Sequence, residues 1–136
     1  MPASARPAAT LVRGRDVPWD DMRPEPGVPQ PPAELVARAQ RDGARRKRLL
    51  RGEGGFFVNR SSLPPGFRIP AHEHDHDELL LVLAGGCRLD GDLGELGPED
   101  AIAIRAGTRY GFTCGPEGME FVTIRTGEAG IAVSGA

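Results

Sequence analysis

The sequence predicts an all-β sandwich or barrel behind an irregular N-terminal arm, and three observations carry that reading. From Gly54 onward the chain is built of short runs rich in Val, Ile, Phe and Leu, separated by Gly, Pro and Asp, the texture of strands joined by tight turns. Eight of the 13 prolines fall within residues 1–32, where they forbid a continuous helix or sheet. The 136 residues are enough for one ordinary core and leave no room for a second large one.

Taken in order, residues 1–45 form the arm and 46–136 the β domain. Within "VPWDDMRPEPGVPQPP", Val17, Trp19 and Met22 are apolar anchors that hold an extended segment against the body or a neighbouring subunit. "PAELVARAQRDGARRK", Pro32 to Lys47, predicts one short helix with Pro at its start and Gly43 near its end. Strands are expected at roughly 55–62, 66–73, 78–84, 86–90, 93–97, 100–105, 109–114, 119–126 and 129–133.

Charge is nearly balanced, 17 basic residues against 19 acidic, but residues 1–51 carry 11 Lys/Arg against 6 Asp/Glu. The basic run Arg45-Arg46-Lys47-Arg48 has no nearby aromatics in a nucleic-acid-binding motif. A solvated face or an arginine-rich strand edge is therefore expected, and no nucleic-acid partner. The longest aliphatic run, Leu79 to Ala84, falls far short of the roughly 18 residues of a membrane span. The N-terminus lacks the layout of a signal peptide, so a soluble cytoplasmic protein is expected. Cys87 and Cys114 are too few and too far apart in sequence for a disulfide scaffold or a CxxC site and read as reduced thiols.

All three histidines, His72, His74 and His76, stand in "PAHEHDHDELLLVLAGG". Side chains two apart on a strand share a face and lie about 6.6 Å apart, so His72 and His74 point the same way, and Arg68 shares that face by parity. On a straight strand Glu78 would lie about 20 Å from His72. "DHD", at Asp75-His76-Asp77, is turn-compatible, and a reversal there brings Glu78 beside both imidazoles. Two histidines and a carboxylate form the donor set of facial-triad iron sites and of some catalytic zinc sites. The alternative is a solvated polar loop whose histidines titrate near neutral pH.

These residues resemble the cupins, whose first motif is glycine, five residues, His-x-His, three or four residues, Glu, six residues and glycine. The match here is Gly66-FRIPA-His72-Glu73-His74-DHD-Glu78-LLLVLA-Gly85. The second motif, in "EDAIAIRAGTRYGFTC", departs in four places: Glu99 stands for the first glycine, Arg105 for proline, Tyr110 for the fourth metal-binding histidine and Cys114 for asparagine, while Gly107 keeps its place. The resemblance covers roughly residues 46–127. It implies a cupin jelly roll, homodimeric association, and a divalent metal held by His72, His74 and Glu78, with Fe(II) favoured and Zn, Mn or Ni as alternatives.

Tyr110 is then a candidate catalytic residue, able to donate a hydrogen bond, move a proton or ligate as phenolate, or simply to close the barrel mouth. Arg68 is a candidate anchor for a substrate carboxylate, unless it pairs with an internal acid or sits at the rim. His76 reads as a rim residue and the spare ligand. In "ELLLVLAGG", Leu80, Val82 and Ala84 share Glu78's face while Leu79, Leu81 and Leu83 point the other way. Both faces are apolar, so both need cover, one of them from the arm or a second subunit. Two functions remain open: a small metalloenzyme acting on a small organic substrate, dioxygenase-like with iron or an isomerase, lyase or decarboxylase with another ion, and a non-catalytic ligand-binding or sensing module.

Overall fold

A computed structural model describes residues 8–21, 32–127 and 132–133. Helix α1, Ala33–Asp42, has Glu34 in its first turn and Arg41 in its last, which suits the helix dipole. It ends where Gly43, at φ 86°, closes it with a left-handed residue, so it stops short of the expected Lys47. Ala39 is buried and Leu35 packs against the core. The Arg38 guanidinium stacks 4.9 Å above the Phe67 ring.

Eight strands follow among the described residues: β1 Arg45–Arg51, β2 Phe57–Leu63, β3 Arg68–Glu73, β4 Glu78–Leu89, β5 Glu95–Leu96, β6 Ala101–Ile104, β7 Tyr110–Arg125 and β8 Ala132–Val133. The all-β expectation is met, with corrections to its elements. The basic run opens β1, an edge strand paired with β2, which agrees with the arginine-rich strand edge expected of it and adds a strand ahead of the expected first one. The strands expected at 78–84 and 86–90 are one, and so are those expected at 109–114 and 119–126. Of the last expected strand, 132–133 is present, and residues 129–131 lie outside the described residues, as does Met22.

Pairing is antiparallel in the order β1-β2-β7-β3-β8, and β4 pairs with β5, β6 and β7. The seam between β4 and β7 changes register twice, between Val82 and Ala84 and between Gly85 and Cys87. Gly85 has φ 68°, and a Cβ there would stand 2.1 Å from the Gly118 carbonyl oxygen. Only glycine allows the two strands to cross so closely while bending. The first register shift is also why Ala84 is exposed although parity assigned it inward.

The core lies inside this bend. Leu80, Val82, Cys87 and Leu89 of β4 face Phe112, Cys114, Met119 and Phe121 of β7, all buried. Alternation holds along the first half of β4, where Leu79, Leu81 and Leu83 remain 37–41% exposed. Residues 8–21 of the arm run beside β1: the backbones of Asp20 and Arg46 exchange two hydrogen bonds of 2.8 and 2.9 Å, and Lys47 Nζ donates to Gly14 O at 2.8 Å. Among the described residues no helix is long and apolar enough to cross a membrane.

Candidate metal and ligand site

The predicted chain reversal is present. β3 ends at Glu73, His74 follows it, and Asp75–Asp77 turn the chain into β4, whose first residue is Glu78. A second loop clamps the turn: Gly107 N donates to His74 O and Ala106 N to Asp77 Oδ1, each at 2.8 Å. Gly107, the position retained from the second motif, thus fixes the backbone that carries the first.

The reversal brings His72, His74, Glu78 and Tyr110 together, each no more than 6% exposed. The His72 and His74 ring centroids are 4.9 Å apart, edge to face, and the Tyr110 ring lies 4.5 Å from that of His72, its Cα partner across β3 and β7. Tyr110 Oη donates to Glu78 Oε1. Arg125, the last residue of β7, donates to Glu78 Oε2 from Nε at 2.6 Å and lies on the same oxygen through Nη2 at 2.5 Å. One 16-residue strand thereby delivers both its ends to a single carboxylate. His74 Nε2 stands 3.6 Å from the same Oε2.

Protonation follows from these contacts. His72 Nδ1 lies 2.8 Å from Pro70 O, and a carbonyl only accepts, so Nδ1 carries the proton and Nε2 keeps its lone pair. Burial holds the His72 pKa below its usual value, favouring neutral imidazole. Burial, followed by the Glu78 charge, pushes the Tyr110 phenol upward, so it is a proton donor here rather than a phenolate. Cys87 and Cys114 are cross-strand partners with free thiols. Burial pushes them up to about 11 and about 12, which makes them packing residues rather than nucleophiles.

Among the described residues no group of three or more His, Cys, Asp or Glu side chains is arranged around a common cation position. Tyr110 and Arg125 hold the two Glu78 oxygens. The donors nevertheless fit a divalent cation: two buried imidazoles, one with its tautomer fixed by a backbone carbonyl, and a carboxylate on the same inner face.

Arg68 lies elsewhere. The β3–β7 register shifts between Ile69 and His72, and this bulge reverses the parity that had put Arg68 on the histidine face. Phe67 turns inward in its place. Arg68 forms a two-pronged pair with Asp90, 2.6 Å on each prong, and a 3.3 Å bond to Thr113 Oγ1. That pair raises the Arg68 pKa and lowers that of Asp90. His76 also lies outside the cluster. Its ring fills the space over Gly127, where a Cβ would meet it at 2.2 Å. Arg125 escaped the sequence reading although its signal was present, since it shares strand parity with inward Phe121 and Thr123.

A bent antiparallel β domain enclosing a His-His-Glu-Tyr cluster, with one short helix, is a jelly-roll architecture. The chain contains a cupin domain: residues 59–125 match that family. Among solved structures it is similar to the polyketide cyclase RemF from Streptomyces resistomycificus, at 23% identity and a TM-score of 0.68, covering 94% of this chain and 87% of that one. It is also similar to KdgF from Halomonas sp., at 18% identity, TM-score 0.63, covering 88% and 94%. A third is an RmlC-like cupin from Shewanella frigidimarina NCIMB 400, at 16% identity, TM-score 0.63, covering 87% and 90%. A search of curated proteins returns no significant match.

Proposed function

We propose that this cupin is a small metalloenzyme that holds a divalent ion through His72, His74 and Glu78 and acts on a small organic substrate. The observation that supports it most directly is the convergence of the three donors on one buried face, with His74 Nε2 3.6 Å from Glu78 Oε2 and His72 oriented by Pro70 O. Bound there, an ion supplies Lewis-acid polarisation of a substrate oxygen or, if it is iron, redox chemistry. Tyr110, held protonated beside it, is the proton donor. Fe(II) suits two histidines and a carboxylate and would make the reaction dioxygenase-like. Similarity to a polyketide cyclase instead favours cyclase-, isomerase- or lyase-type chemistry with zinc, manganese or nickel, and this is the reading we adopt for the reaction class. Arg68, spent on Asp90, is a rim residue in this scheme.

The test is elemental analysis of untagged protein, wild type against His74→Ala. Near-stoichiometric ion in the wild type, reduced at least tenfold in the variant, is expected; removing one ligand typically costs more than the 10–100-fold of an outer-shell change. Iron would return the reaction to the dioxygenase-like class. No ion in either protein, even after anaerobic reconstitution, would sink the metalloenzyme reading. It would leave the second reading, a ligand-binding module, which one observation favours: both Glu78 oxygens already have partners in Tyr110 and Arg125. Glu78→Gln separates the two, since an enzyme would lose ion and turnover together while a binding module would keep its ligand.

A further inference from the structure

We infer that Arg125 is an exchangeable counter-ion: it holds Glu78 until a divalent cation takes the carboxylate, and the guanidinium so released binds an anionic group of the ligand. The inference rests on the metal reading above and deepens it, naming a carboxylate-bearing ligand whose binding is coupled to that of the ion.

The argument begins with the lone pairs of Glu78 Oε2. Arg125 Nε and Nη2 both lie on this oxygen, at 2.6 and 2.5 Å, and a carboxylate oxygen has two lone-pair positions. Both are taken by one guanidinium, so coordination through Oε2 requires Arg125 to withdraw. Oε1 keeps one lone pair beyond the Tyr110 bond, but His74 Nε2 stands 3.6 Å from Oε2, so an ion shared with His74 reaches Glu78 through the oxygen that Arg125 holds. Electrostatics act in the same direction. A cation beside an undisplaced guanidinium would place like charges around one carboxylate in a poorly hydrated site, where repulsion is strong. Arg125 cannot shed its charge, so it moves.

It has somewhere to go. The Arg125 side chain is 15% exposed against 1% for Glu78, so it reaches from the buried cluster to solvent. A released guanidinium left unpaired at a half-buried position is costly, and a ligand carboxylate is its natural replacement, taken in the two-pronged geometry arginine favours. Arg109 adds to this field: it is exposed, its Nη2 lies 3.3 Å from Ala71 O, and its charge, like that of Arg125, acts on His72. An anion binding beside His72 meets two arginines.

Linkage then makes the two binding events reciprocal. An ion that frees Arg125 raises the affinity for the anion, and the anion, by holding Arg125 away, raises the affinity for the ion by the same factor. Coupling between such sites is typically about 5–150-fold.

The experiment is calorimetric titration of zinc into wild type, Arg125→Gln and Arg125→Lys, with and without saturating benzoate as carboxylate probe, each protein first checked for its thermal transition. Arg125→Gln is expected to bind zinc at least tenfold more tightly than wild type, and Arg125→Lys by a smaller factor. Benzoate is expected to tighten zinc binding about fivefold or more in wild type and to leave Arg125→Gln unchanged. Zinc binding in Arg125→Gln equal to or weaker than wild type would overturn the inference while leaving the metal site standing, and so would a wild type indifferent to benzoate. Should Arg125→Gln fail to fold, Arg125→Lys decides by the same criterion. Zinc binding by none of the three proteins would overturn both the inference and the metal reading.

Discussion

Glu99 has a backbone that its side chain resists. Its φ of 75° makes it the one described non-glycine residue in the left-handed region, which costs an L-residue about 1–2 kcal/mol. It stands where the second motif of the cupins has glycine, so the departure was readable in the sequence while its cost was not. Glycine would relieve the strain and give back part of the gain as chain entropy, about 0.5–1 kcal/mol. Glu99→Gly should therefore stabilise the fold by about 0.5–1 kcal/mol, read as a raised urea midpoint with unchanged slope. An unchanged or lowered midpoint would mean that the Glu99 side chain contributes more than the strain costs. Arg68 carries a related lesson at the same scale. Its residue type and parity suggested an inward anchor, but a one-residue bulge sent it to Asp90, and bulges leave little trace in the order of residues.

At the scale of elements, the arm and β1 explain each other. The ring of Trp19 lies beneath three cations, with Arg45 at 4.6 Å, Lys47 at 5.0 Å and Arg60 at 5.7 Å from its centroid. Arg45 and Lys47 of the basic run are thus engaged within the chain, as is Arg46, with Asp20 beside it at 3.4 Å. Trp19→Ala should cost about 2 kcal/mol of stability, the sum of several partly shielded cation–π contacts. It should also raise amide exchange at Asp20 and Arg46 far more than in the β4–β7 core, which native-state hydrogen exchange would read directly. Uniform loss of protection across the sheet would show instead that the arm is part of the global unfolding unit. Trp19 was legible as an anchor. Its three partners were not, because Arg60 comes from β2 and meets the indole only once the sheet has formed.

Across the whole molecule, one outer face stands out. Leu79 and Leu81 of β4 lie opposite Ala103 and Ala101 of β6 and opposite Ile124 and Val122 of β7, and with Leu83 they make a continuous apolar strip. The described part of the arm pairs with β1 through Asp20 and Arg46, and the three leucines remain exposed. We propose that a second copy of the chain covers it, since a two-fold axis pairs an apolar patch with itself. Leu81→Lys should convert a dimer to a monomer in light scattering coupled to gel filtration. A wild-type monomer at micromolar concentration would remove the proposal.

By itself the sequence determined the class of fold, the short helix with its Gly43 stop, the turn at Asp75–Asp77, and the inward placement of His72, His74 and Glu78. All of these are local: alternation within one strand, a capping residue, a turn-forming triplet. The tertiary structure alone decided that Tyr110 and Arg125, fifteen positions apart in one strand, close on the same carboxylate, that Arg68 faces Asp90, and that β4 and β7 bend together at Gly85 and Gly118. Strand parity carries information only as far as the strand keeps its register, and each of these outcomes lies beyond a register shift or across a pairing between distant strands. The candidate donors were therefore visible in the order of residues, whereas the guanidinium that pairs with one of them was set by where the sheet curves back on itself.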